Sequence, residues 1–147
     1  MTTLYTIGFT KKKAKQFFTL VKEAQIKRLF DVRLHNVSQL AGFAKKADLA
    51  FFLKELCDVQ YVHATDLAPT DDLLKAYKRK EITWESYADS YLNLMSKRRV
   101  ERAIAPEEID NTCLLCSEHL PHHCHRRLLA EYLGDHFDTP LAIKHLV

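Results

Sequence analysis

Short β-prone apolar runs alternate with amphipathic helical stretches along the whole chain, and this alternation constrains the fold more than any other feature. Leu4 to Phe9 reads as a first strand. The spacing then predicts a helix over residues 11–25, capped by Thr10, with Ala14, Phe17, Phe18 and Val21 on one face. Lys27 to Leu34 reads as a second strand. Asp48 is placed to cap the next helix, which would turn Leu49, Phe52, Leu53 and Leu56 inward. Gln60 to Ala64 gives a third strand and Asp71 to Lys80 a short helix. Thr83 opens a longer helix in which Trp84, Tyr87, Ala88, Tyr91, Leu92 and Met95 keep helical spacing. Thr112 to Ser117 is a fourth strand, Cys124 to Phe137 a helix, and Leu141 to Leu146 a last strand. Strands separated by helices must be joined by crossovers. The expected fold class is therefore α/β: a single three-layer domain over residues 1–147, with a mostly parallel sheet of about five strands and helices on both faces.

A chain of 147 residues can bury roughly 68–70% of its unfolded surface, so it needs no disulfide or metal staple. No secretory leader pattern stands at the N-terminus, and no apolar run approaches the roughly 20 residues of a membrane span. A cytoplasmic location with four reduced cysteines is the expectation. The net charge of +3 permits an anionic ligand without demanding nucleic acid. The basic runs Lys11–Lys13, Lys78–Lys80 and Lys97–Arg99 read as solvated faces or, alternatively, as a nucleic-acid groove. The aromatic residues keep core spacing, so no base-stacking platform is evident. Phosphate-binding glycine loops and the common hydrolase and metalloprotease motifs are absent from the sequence.

In open parallel sheets ligands bind beyond the carboxyl ends of the strands. Those ends carry Gly8–Thr10, Asp31–His35, His63–Asp66 and Cys116–Glu118, so polar groups distant in sequence would converge there. Reactive side chains are densest from Cys113 to Arg127. His125 and Arg126 would open a helix whose free N–H groups suit a phosphate or carboxylate, and the helix dipole would lower the pKa of Cys124. Glu118 can act as a base, bind a ribose hydroxyl, cap the following helix or pair with Arg126. Asp31, Arg33 and His35 share a strand face, so Asp31 either forms a structural ion pair with Arg33 or orients it towards an anion. Ser38, Gln39 and Lys45 lie in a long connection of the kind that often carries function. Cys113 and Cys116 show metal-ligand spacing. An offset of three on a strand, however, puts them on opposite faces, leaving Cys116, Cys124 and one histidine as the alternative zinc set or the two cysteines as core residues. His63, His136 and His145 read as structural.

Three ordered motifs, Thr6-Ile7-Gly8, Leu29-Phe30-Asp31-Val32-Arg33, and Leu114-Leu115-Cys116-Ser117-Glu118 followed by Cys124-His125-Arg126, resemble the domain-of-unknown-function family 488. Lys144-His145-Leu146 fits the family's ending, and the segments 33–43 and 67–70 resemble one branch of it. Two departures stand out: Phe9 where the broader family has a histidine, and Ala68-Pro69 where it has a glycine pair. The resemblance implies Asp31, Arg33, Cys116, Glu118, Cys124, His125 and Arg126 as site-lining residues, and implies no substrate.

The leading expectation is an enzyme that binds a phosphorylated or nucleotide-type anion at the sheet's carboxyl edge. Cys124, Cys116, Glu118 and Asp31 are its candidate catalytic groups, and Thr10, Arg33, His35, Ser38, Gln39, His125 and Arg126 its candidate binding groups. The alternatives are a non-catalytic nucleic-acid-binding module and a zinc-dependent domain. The sequence names no cofactor and no oligomeric state.

Overall fold

The computed structural model describes residues 2–35, 42–118 and 121–147. Ser38 and Gln39 lie outside them. Five strands form one sheet: β1 (Thr2–Gly8), β2 (Arg28–Asp31), β3 (Gln60–His63), β4 (Thr112–Cys116) and β5 (Leu141–Leu146), in the order β3-β2-β4-β1-β5. Every pairing is parallel, firmer than the mostly parallel expectation. Helices α1 (Ala14–Glu23) and α2 (Lys46–Cys57) cover one face. Helix α3 (Asp71–Lys78), α4 (Trp84–Arg98), the short α5 (Val100–Ala103) and α6 (Pro106–Ile109), and α7 (His125–His136) lie on the other side. The chain is a single α/β domain.

The core divides at the sheet. On the α1–α2 side Ile7, Leu29, Cys113 and Leu115 meet Phe17, Val21, Leu49 and Leu53. On the opposite side Leu4, Phe30, Leu114 and Cys116 meet Tyr91, Met95, Leu129 and Leu133. Alternation along β4 thus separates Cys113 from Cys116, as the offset of three requires. All five β4 residues are buried because helices cover both faces of this central strand. Tyr91 closes the floor between α4 and the segment after β3 by donating its hydroxyl hydrogen to the Leu67 carbonyl at 2.7 Å. Helix α3 is different: Thr70 caps it, yet none of its residues is fully buried.

Several local expectations are corrected. Thr10 does not cap α1. Its N–H and hydroxyl both donate to the Ser117 carbonyl, Lys11 turns to φ 62°, and the helix starts only at Ala14, which is exposed. Asp48 is not a cap either. Lys45 holds that position and Asp48 sits in the first turn, where its charge suits the dipole. Leu56 is 52% exposed, so the inward face of α2 narrows to Leu49 and Leu53, with Phe52 partly covered. β2 stops at Asp31, because the backbone beyond Val32 leaves the ladder to carry Arg33 over the sheet's end.

His145 on edge strand β5 lies 2.6 Å through Nδ1 from the Thr6 hydroxyl, which itself accepts from Arg126 Nε at 3.4 Å. The hydroxyl keeps a second lone pair, so it donates to or accepts from Nδ1 according to the imidazole's tautomer. Burial first, and the charge of Arg126 second, hold the His145 pKa below its usual 6.5. The unfolded chain thus takes up this proton at a higher pH than the folded chain. The linked stability is complete above pH 6.5 and is lost as the pH falls through that value towards the lower folded pKa. A series of thermal melts below pH 6.5 is expected to show a falling midpoint, with a shallower fall for His145→Gln.

Candidate functional site at the carboxyl edge

β1 and β4 are neighbours, yet the chain leaves β1 towards α1 on one face and leaves β4 towards α7 on the other. Such a reversal opens a crevice beyond the strand ends. A cavity of about 370 Å³ lies at this edge. It is bordered by Thr10 after β1, Arg33 and His35 after β2, Cys116 to Glu118 after β4, and Cys124 and His125 at the start of α7. Residues some ninety positions apart therefore share one cavity.

Gly8 ends β1 opposite Cys116. An added Cβ there would lie 1.5 Å from the Glu118 carbonyl oxygen and 2.7 Å from Arg126 Nη1. Only glycine lets the β4–α7 connection cross so close above the strand. Arg126 clamps that crossing by donating Nη1 to the Glu118 carbonyl. Arg126 is wholly buried and does not border the cavity, so it supports the loop from beneath. The Glu118 side chain stays exposed at the cavity's edge.

Asp31 and Arg33 form a buried bidentate pair. Arg33 Nε donates to Asp31 Oδ1 at 2.8 Å and Nη2 to Oδ2 at 2.7 Å. Nη2 also donates to the Ala44 carbonyl at 2.7 Å, and the Tyr61 hydroxyl donates to Asp31 Oδ2 at 2.6 Å. Phe9 lies under the guanidinium, with its ring centre 5.1 Å from Cζ, so the residue that departs from the family's histidine supports Arg33. Asp31 has no exposed surface and does not line the cavity. Its visible work is to hold Arg33. Arg33 is 4% exposed and does line the cavity, and its Nη1 has no hydrogen-bond partner among the described residues. His35 stands at the rim, 3.3 Å through Nε2 from Asp71.

Three further ligand-type atoms gather at the floor. The thiols of Cys116 and Cys124 and an imidazole nitrogen of His125 lie within 4.8 Å of one another, all on buried residues. His125 Nε2 donates to the Val32 carbonyl at 2.8 Å, which leaves Nδ1 facing Cys116 Sγ at 3.6 Å. The helix-dipole expectation for Cys124 is reversed: burial, and hydrogen bonding to Cys116, push the Cys124 thiol well up. Cys116 is the thiol that is lowered. Burial opposes ionisation there, but donation from Cys124, the Arg126 charge and the N–H groups of Ser117 and Glu118 outweigh it. Cys113, across the sheet, is pushed up by burial.

The outer wall includes Trp84 and Tyr87, which spacing had assigned to a helical core, together with Tyr77 of α3. Trp84 stacks on Tyr87 with centroids 5.5 Å apart and on His123 at 4.9 Å. No periodicity in the sequence separates a cavity-facing aromatic from a core one. The basic runs also divide: Lys12 is buried beside Arg126, Arg98 donates to the carbonyls of Asp66 and Ala68, and Lys78 lies at the cavity mouth.

The fold and the site define an all-parallel α/β domain with a thiol–imidazole cluster at its topological switch. The chain belongs to the family described as Domain of unknown function DUF488, whose family model matches residues 13–133. The motifs at 29–33, 114–118 and 124–126 fall inside the match, and those at 6–8 and 144–146 outside it. Comparison with curated proteins and with solved structures gives no match. No helix among the described residues is long and apolar enough to cross a membrane.

Proposed function

We propose that this protein is an enzyme that draws a small anionic ligand, phosphorylated or nucleotide-type, into the cavity at the carboxyl edge and acts on it beside Cys116, Cys124 and His125. The observation that carries this reading is Arg33 Nη1. It has no hydrogen-bond partner among the described residues; a buried donor without one costs about 1–3 kcal/mol, more when it is charged, and a ligand oxygen that reached it would remove that cost. Asp31 and Ala44 hold the rest of the guanidinium in one orientation at the cavity wall, which lowers the ordering cost of binding. The cavity volume of about 370 Å³ suits a small ligand. The Trp84, Tyr77 and Tyr87 wall offers flat apolar surface for a planar group such as a base. Glu118 is the carboxylate left at the cavity for proton transfer, since Asp31 is enclosed by its own partners.

Calorimetry with AMP and with inorganic phosphate tests this. Arg33→Lys keeps a charge but loses the fork, and is expected to weaken AMP binding at least about 10-fold. Trp84→Ala is expected to weaken AMP while leaving phosphate unchanged. Unaltered binding of both probes by both variants would sink the reading. A nucleic-acid module predicts instead an affinity for DNA or RNA that falls by orders of magnitude between low and physiological salt.

A further inference from the structure

Resting on that reading of the cavity, we infer that Cys116, Cys124 and His125 hold a divalent, zinc-type metal ion whose fourth position opens on the cavity. The ligand chemistry is right for such an ion: two thiols and an imidazole, all within 4.8 Å of one another. One edge of the polyhedron already has the right length. Zinc bonds of about 2.3 Å to sulfur and about 2.0–2.1 Å to nitrogen, at a tetrahedral angle, separate the two ligand atoms by roughly 3.6 Å. Cys116 Sγ and His125 Nδ1 are 3.6 Å apart.

The imidazole is prepared for this task. Its Nε2–H is given to the Val32 carbonyl at 2.8 Å, which fixes the tautomer and turns the Nδ1 lone pair towards the sulfurs. A backbone carbonyl on the remote nitrogen is the usual outer support of a metal-bound histidine. The supports are rigid: Cys116 ends the fully buried strand β4, Cys124 is the N-cap of α7, and His125 is that helix's first residue. All three residues border the cavity, so a ligand entering it would reach the ion. Three protein ligands among the described residues, with one position left for water or substrate, match the pattern of catalytic rather than structural zinc. An ion there would polarise a ligand oxygen from the floor while Arg33 held the anion from the side. Cys113 faces the other side of the sheet and takes no part.

Cobalt(II) titration of reduced, chelator-stripped protein is the test. Wild type is expected to bind one equivalent, with a thiolate-to-cobalt band in the near ultraviolet and strong visible bands of a tetrahedral site. Cys113→Ala should match it. Cys116→Ser, Cys124→Ser and His125→Gln should each weaken binding by at least the ~10–100-fold that loss of a mere outer-shell partner causes. Circular dichroism identifies any variant that fails to fold, and the remaining variants then decide. A wild type with no tetrahedral spectrum, or folded cysteine and histidine variants that bind like wild type, would overturn the site. AMP titration of the same samples separates the two ideas. Arg33-dependent AMP binding without cobalt binding defeats the metal centre alone, whereas cobalt binding without any AMP or phosphate binding defeats the ligand reading alone.

Discussion

Gly8→Ala is expected to unfold the protein or leave it severely destabilised, although it adds a single methyl group. The methyl would sit 1.5 Å from the Glu118 carbonyl oxygen, far inside any contact distance. The obstacle is backbone, and Arg126 clamps that same carbonyl from a fully buried position, so the loop cannot swing aside alone. Relief would require shifting β1 against β4 at the centre of the sheet. Overpacking commonly costs about 1–3 kcal/mol, and a backbone collision belongs at or beyond the top of that range. In a chain of this size each kcal/mol moves the melting midpoint by roughly 2–4 °C. A fall of about 10 °C or more, or loss of soluble protein, is the expected result. A midpoint within ~2 °C of wild type would show that the β4–α7 crossing is looser than described.

Asp31→Ala should be nearly as damaging, for an electrostatic reason. It leaves the Arg33 guanidinium, 4% exposed, without its counter-ion. Breaking a buried pair on one side costs about 3–5 kcal/mol, because the surviving charge stays desolvated. Replacing both partners with apolar groups of similar volume is often nearly neutral. The double variant Asp31→Leu, Arg33→Met is therefore expected to regain most of the stability, with the half-buried Tyr61 hydroxyl turning to water. It should not regain AMP binding. Urea unfolding and calorimetry on wild type, single and double variants would separate the pair's structural role from its ligand role. Equal stability of Asp31→Ala and wild type would contradict the buried-pair description.

The fold was legible because its signal is periodic. β-branched and apolar runs marked five strands, and helical spacing marked Phe17, Val21, Tyr91 and Met95 as core. The opposite faces of Cys113 and Cys116 followed from strand parity alone. Where single side chains choose between partners, periodicity is silent. Thr10 resembled a helix cap, but its hydroxyl and N–H are tied to the Ser117 carbonyl and the helix starts further on, with Lys13 at the cap position. Arg126 resembled a ligand contact because it opens a helix, yet its length carries the guanidinium beneath the neighbouring loop. Trp84 and Tyr87 have helical spacing in either role, and only the placement of α4 beside the carboxyl edge brings them to the cavity. Against burial, which opposes it, the lowering of the Cys116 thiol comes first from its hydrogen bond with Cys124 and next from the Arg126 charge, contacts that only the folded loop brings together.

The cavity is unevenly walled. Its floor and near side are built on the central strands and on α7, anchored through buried side chains. Its outer side leans on α3, which has no residue fully sunk into the core. Segments with few buried contacts open at a small fraction of the free energy that whole-molecule unfolding requires. If the cavity takes a ligand as proposed, α3 is the wall expected to yield first, and its amide hydrogens should exchange faster than those of α7.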